Sequence, residues 1–184
     1  MAMLQVAIFL LASAGLVYVS RAALRRPRVH GFWRFWAWEA IAGLVALNAP
    51  VWFRDPLAWY QLISWLLLIL SLVPLALGVR QLRRARQAAQ ERPEAGLLGF
   101  EKTAELVTTG VYRVIRHPMY SSLLLLAWGV FWKAPSWPTA GLVAVATACL
   151  LATARAEERE NLRFFGPAYA AYMRQTRMFI PFLF

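Results

Sequence analysis

The sequence predicts an all-α polytopic membrane bundle, with about five transmembrane helices followed by a cytoplasmic C-terminal helix. Three observations predict it. Sixty per cent of the 184 residues are apolar, nine Trp accompany eleven Phe, and mean hydropathy is +0.50, well outside the composition of soluble domains. Five nearly uncharged runs approach the roughly 20 residues that a helix needs to cross a hydrocarbon core. Laid out as alternating spans, those runs put eighteen of the twenty Lys and Arg on one side, the asymmetry that orients membrane proteins.

Met1 to Ser20 carries no charge, and its arginines follow the apolar run rather than precede it, so it reads as a retained first span and not as a signal peptide. The next stretch, RAALRRPRVHGFWRFWAW, interleaves arginine with aromatic rings and suits the headgroup layer. Span two, Phe35 to Phe53, holds only Glu39, about one turn deep, where a lone carboxylate is costly. Its partner is either a substrate or loop cation, or a structural one such as Arg34. Asn48 and Pro50 signal an early helix end. Span three, Pro56 to Val79, runs on into RQLRRARQAAQER, which has few helix breakers and presents a basic face; Pro93, Gly96 and Gly99 then punctuate a loop. Thr108 to Gly110 is a turn signal, and His117-Pro118 starts span four, because proline suits the first helical position. That span, Pro118 to Trp132, is about 22 Å of helix and short for the bilayer. A tight turn over Lys133 to Pro138 leads into span five, Ala134 to Ala154, and an amphipathic helix broken at Gly166-Pro167 follows. The apolar tail, Met178 to Phe184, is expected to fold back on the bundle or the bilayer.

The N-terminus is therefore expected outside and the C-terminus in the cytoplasm, in an inner or cell membrane. The chain forms a single membrane domain, 1–184, with spans one to three in 1–79 and the chemistry in 106–181. The net charge of +11 belongs to the cytoplasmic face and to membrane lipids, not to nucleic acid. Two histidines and one cysteine, Cys149, lie apart and off ligand spacing, so no metal centre is expected. The single aspartate, Asp55, falls on the outer side and argues against a hydrolase triad; no G-x-G-x-x-G follows a strand.

The chemistry concentrates in Leu106 to Tyr120, LVTTGVYRVIRHPMY, and in Arg155 to Glu158 with Phe164 to Gly166. Because spans four and five are antiparallel neighbours, these clusters meet at one membrane edge, facing both water and lipid. Arg116 and Glu158 are the candidate catalytic residues there, and Arg155 and Glu39 the candidates for holding an acceptor. Such a set suits a small polar ligand with a charged end and a flat apolar end.

The order T-G-V-Y-x-x-x-R-H-P-x-Y, a helical hairpin, then E-E-x-x-x-L-x-F-F-G-x-x-Y-x-x-Y and a late proline resembles the isoprenylcysteine carboxyl methyltransferases, membrane enzymes related to the phospholipid methyltransferases. The resemblance covers Leu106 to Pro181 and implies methyl transfer from S-adenosylmethionine, leaving S-adenosylhomocysteine, to a lipophilic or lipid-like acceptor. It places Leu106, Val107, Tyr112, His117, Pro118, Met119, Tyr120 and Glu157 at cofactor-contacting positions. Glu157 would take the ligand's ammonium, His117 or backbone amides near the helix start its carboxylate, and tyrosine faces the adenine and sulfonium. The chain departs from the family pattern at Ser122, where a glycine is usual, and at Thr153, where the family has a substrate-contacting arginine. Two further readings stand beside this one: a non-catalytic membrane or lipid-binding protein of the same fold, and a nicotinamide-dependent membrane reductase, since some sterol reductases resemble the family near the C-terminus.

Overall fold

A computed structural model describes residues 2–88 and 106–181, which form α1 (Ala2–Leu24), α2 (His30–Asn48), α3 (Trp59–Ala88), α4 (Pro118–Phe131), α5 (Trp137–Phe165) and α6 (Pro167–Gln175). Single 3-10 turns, Ala49–Val51 and Gly110–Arg113, follow α2 and precede α4. The described residues are an all-α membrane bundle. Within α1, α3 and α5, the segments Met3–Leu24, Trp59–Ala85 and Trp137–Phe165 are long and apolar enough to cross a membrane, while α4 is apolar but shorter. Helices α1 to α5 correspond to the five runs read from the sequence, with different ends, and α2 and α4 are not among the three long apolar spans. Helix α2 starts at His30 instead of Phe35, α3 runs past Val79 to Ala88, and α5 runs past Ala154 to Phe165. Charge marks where lipid stops, but arginine and glutamate propagate a helix well, so these helices continue into the headgroup layer. The loop expected at Pro93 to Gly99, with Arg92 and Lys102, lies outside the described residues.

Helix α2 packs between α1 and α5, and α4 between α3 and α5. One apolar core joins Ala40, Ile41 and Leu44 of α2 to Ala127 and Val130 of α4 and Val143 and Ala146 of α5. A second, toward the other end, joins Ala37, Tyr120, Leu150 and Ala154 to Phe179 of the tail. The flanking helices leave Leu10, Leu11, Leu66, Ile69 and Leu72 exposed, a lipid-facing surface. Helices α3 and α4 approach closely at Gly129, where an added Cβ would lie 3.1 Å from the Leu68 backbone nitrogen. There Ser64 donates to the Gly129 carbonyl at 2.7 Å, as small and hydroxyl residues do between membrane helices.

Polar side chains tie the helix ends together and sort them into two levels. At one end the first turn of α2 meets the last turns of α5. Glu160 accepts from the His30 backbone N–H at 2.8 Å and lies 2.6 Å from His30 Nδ1, supplying the carboxylate that the Val29 N-cap lacks. At the other end Asn48 donates to the Leu44 and Val130 carbonyls, both at 3.1 Å. Beside it Lys133, 1% exposed, donates to Gln61 Oε1 at 2.9 Å, and its ammonium sits 3.1 Å from the Trp65 ring centroid and 5.3 Å from that of Trp52.

Burial pushes the Lys133 ammonium down to about 8. A base with a lowered folded pKa binds fewer protons folded than unfolded between that value and its ordinary 10.5, so stability rises with pH across the window. Two buried phenols, Tyr169 and Tyr172, are pushed up by burial and reverse the trend once unfolded tyrosines ionise near pH 10. The unfolding midpoint is therefore expected to climb between about pH 8 and 10. Lys133→Met should flatten that rise, and an unchanged rise would assign it to another group.

Candidate functional site at the end of the α4–α5 hairpin

Local backbone chemistry delivers the site's first strand of residues. Gly110 opens it with φ +63°, so the turn needs glycine for its left-handed backbone, and Gln81 of α3 lies against it. Gln81 also donates to Thr109 Oγ1. The Gly110–Arg113 turn follows, then His117 caps α4 with Pro118 at its first position. At the far end, Gly166 (φ +58°, ψ −132°) both stops α5 and starts α6, a conformation that is essentially reserved for glycine.

The tail closes the arrangement. Residues Arg177 to Phe179 run beside Val114 to His117: Arg177 N–H donates to Val114 O at 3.0 Å, Arg116 N–H to Arg177 O at 2.8 Å, and His117 N–H to Met178 O at 3.1 Å. Ser121 Oγ donates to Phe179 O at 2.8 Å, and the Phe179 ring lies 6.1 Å from the imidazole of His117.

Inside this wrap, Arg116 is a three-way clamp. Its Nε donates to Glu158 Oε1 at 2.6 Å, with both side chains only 9% exposed. One terminal nitrogen donates to Met173 O at 3.2 Å and Thr176 O at 2.5 Å, satisfying carbonyls that the end of α6 leaves open. His117 stands between two carboxylates, with Nε2 at 3.4 Å from Glu158 Oε1 and Nδ1 at 3.8 Å from Glu157 Oε2. Tyr120 stacks on it, centroids 5.4 Å apart, and donates to Glu157 Oε2 at 2.5 Å. Glu158 is thus buried and neutralised, whereas the Glu157 side chain stays 27% exposed and can accept more donors. With phenols held protonated by burial, Tyr172 donates to the Tyr112 carbonyl at 2.7 Å and locks α6 to the 3-10 turn.

The hairpin therefore brings together Arg116, His117, Pro118, Tyr120, Glu157 and Glu158, with Tyr112 joined through α6. Leu106 and Val107 are half-buried where the described segment begins, and Met119 packs against Gly78 of α3. Two sequence candidates lie elsewhere. Arg155 is exposed on α5, because it sits two residues, about 200° of helix, from Thr153 and Glu157 alike. Glu39 accepts from Ser13 Oγ of α1 at 3.0 Å, so the contact of α1 with α2 holds it. Sequence reasoning passed over Ser121, Phe179, Thr176 and the His30–Glu160 pair. The late apolar tail was the only signal for the first two; nothing local pairs His30 with a residue 130 positions away.

An ammonium-bearing, aromatic ligand fits what is present. Glu157 offers a partly exposed carboxylate that a single phenol occupies at one oxygen, beside the faces of His117 and Tyr120.

The family model described as phospholipid methyltransferase matches residues 94–168, which enclose Arg116 to Tyr120 and Glu157-Glu158. The methanethiol S-methyltransferase of Crocosphaera subtropica is 28% identical over 161 residues, 81% of this chain and 55% of that protein. Methanethiol S-methyltransferase 2 of Bradyrhizobium diazoefficiens is 31% identical over 160 residues, 82% of this chain and 54% of that protein. The chain spans about half the length of these curated relatives. No solved structure matches it. The shared segment, the membrane helices and the charged cluster at the hairpin end agree, and over that segment the chain is similar to the phospholipid methyltransferase family of membrane methyltransferases.

Proposed function

We propose that the chain is an S-adenosylmethionine-dependent methyltransferase that works at the cytoplasmic membrane edge on a small lipophilic or amphiphilic acceptor, with its N-terminus outside. The carrying observation is the partly exposed Glu157, held by Tyr120 and His117 inside the family-matched segment. When bound, S-adenosylmethionine supplies a methyl group already activated on a sulfonium. The chain's own residues bind and position. Glu157 takes the ammonium, the α4 N-terminus favours the ligand's carboxylate, and aromatic faces accept a cation. The Arg116–Glu158 clamp and the tail keep water from the inner wall, so positioning and exclusion supply most of the rate.

The acceptor follows from what the site lacks. Thr153 is fully buried and its hydroxyl donates to Cys149 O at 2.7 Å, while Arg155 faces away. Neither of these two residues thus offers a guanidinium where a carboxylate acceptor would need one, and Glu39 is held by α1, which removes the support for an amine head. A neutral, apolar acceptor fits better. A thiol is such a group, and the two relatives are named for methanethiol. Access is sideways, between helices that end at the polar cluster. The protein in lipid, given methyl-labelled cofactor with either alkanethiols of rising chain length or a total lipid extract, is expected to label an extractable apolar product. Label confined to water-soluble molecules would contradict lateral access.

A further inference from the structure

On the face of α3 turned away from Gly78 and Gln81, a cleft of about 560 Å³ is lined by Leu75, Ala76, Val79, Arg80, Arg83 and Arg84. Their spacing of three and four residues makes one stripe, apolar below and guanidinium above. Its height is fixed twice. Starting from Trp59, a thirty-Ångström core takes about 20 residues of helix and ends near Val79. On the opposite face a Cβ added to Gly78 would lie 3.2 Å from Cγ of Pro118, the first residue of α4, so this is also the level at which α4 leaves the headgroup layer. The three arginines therefore emerge where lipid phosphates lie, above an apolar surface of Leu75, Ala76 and Val79 placed to meet the first carbons of an acyl chain.

Among the described residues no carboxylate pairs with Arg80, Arg83 or Arg84, and all three are exposed. Like charges at this spacing repel each other along a helix, so the stripe suits an anion. We propose that this cleft is a binding site for an anionic phospholipid of the surrounding leaflet, the phosphate held by the three guanidiniums and the upper acyl chain by Leu75, Ala76 and Val79. A free phosphate could satisfy the guanidiniums but leaves the apolar half of the cleft uncovered. The inference is independent of the methyltransferase reading, since none of its residues belongs to that site.

The test reads the lipid that the full chain retains through detergent purification from an equimolar mixture of phosphatidylglycerol and phosphatidylcholine. The wild type is expected to enrich the anionic lipid, and Arg80→Gln/Arg83→Gln/Arg84→Gln to lose at least about fivefold of that enrichment. Arg80→Lys/Arg83→Lys/Arg84→Lys should keep most of it, which also guards against a misfolded Gln variant. A control in the loop after α1, Arg25→Gln/Arg26→Gln, should change it little. Equal loss in control and cleft variants would overturn the site in favour of general surface charge. Displacement of the lipid by inorganic phosphate as readily as by an equal concentration of long-chain phosphatidylglycerol would show that the apolar half contributes nothing and would overturn the assignment to phospholipid.

Discussion

Arg116→Ala is expected to destabilise the protein by about 3–5 kcal/mol, the cost of leaving a buried carboxylate without its partner. The loss should be visible as a lower unfolding midpoint in a detergent titration. Two effects add. Glu158 loses its 2.6 Å contact, and the Met173 and Thr176 carbonyls lose the donor that fastens α6 and the tail over His117. Arg116→Met with Glu158→Leu should recover much of the stability, because it removes the orphan charge along with the pair, but not the activity. A single variant as stable as the wild type would show that the clamp contributes nothing to the fold.

Glu157→Gln and His117→Ala are expected to weaken S-adenosylhomocysteine binding tenfold to a hundredfold. Each removes a charge-assisted interaction of about 1.5–3 kcal/mol. Glu157→Gln should do so at nearly unchanged stability, since its side chain is 27% exposed and an amide can still accept from Tyr120. Tyr120→Phe should cost less, about tenfold at most, as it removes a donor to Glu157 but leaves the carboxylate itself for the ligand. If Glu157→Gln and His117→Ala aggregate while the surviving protein binds normally, the two residues are structural.

Much of this was legible because membrane helices obey simple rules. The existence of the helices followed from apolar length, the short fourth helix from its 15-residue run, and the α4 start from His117-Pro118. The Arg116, His117, Glu157 and Glu158 cluster was legible because a hairpin forces its two ends to one level. Helix ends were not, because Arg and Glu at a membrane edge extend a helix as well as stop a span; α5 gains eleven residues that way, from Arg155 to Phe165. The tail's path beside Val114 to His117 rests on backbone hydrogen bonds, which leave no mark in side-chain identity. Glu39 was misleading for a related reason. Its depth in α2 was readable, but the helix face that Ser13 of α1 covers depends on packing.

The central claim is that the hairpin-end cluster is a cofactor site for S-adenosylmethionine, and calorimetric titration of the purified full chain tests it most directly. In detergent and again in lipid, S-adenosylhomocysteine is titrated beside NADPH. The account predicts saturable binding of S-adenosylhomocysteine, weakened in Glu157→Gln, and no binding of NADPH. Binding of NADPH alone, or of neither compound in lipid as well as detergent, would contradict it.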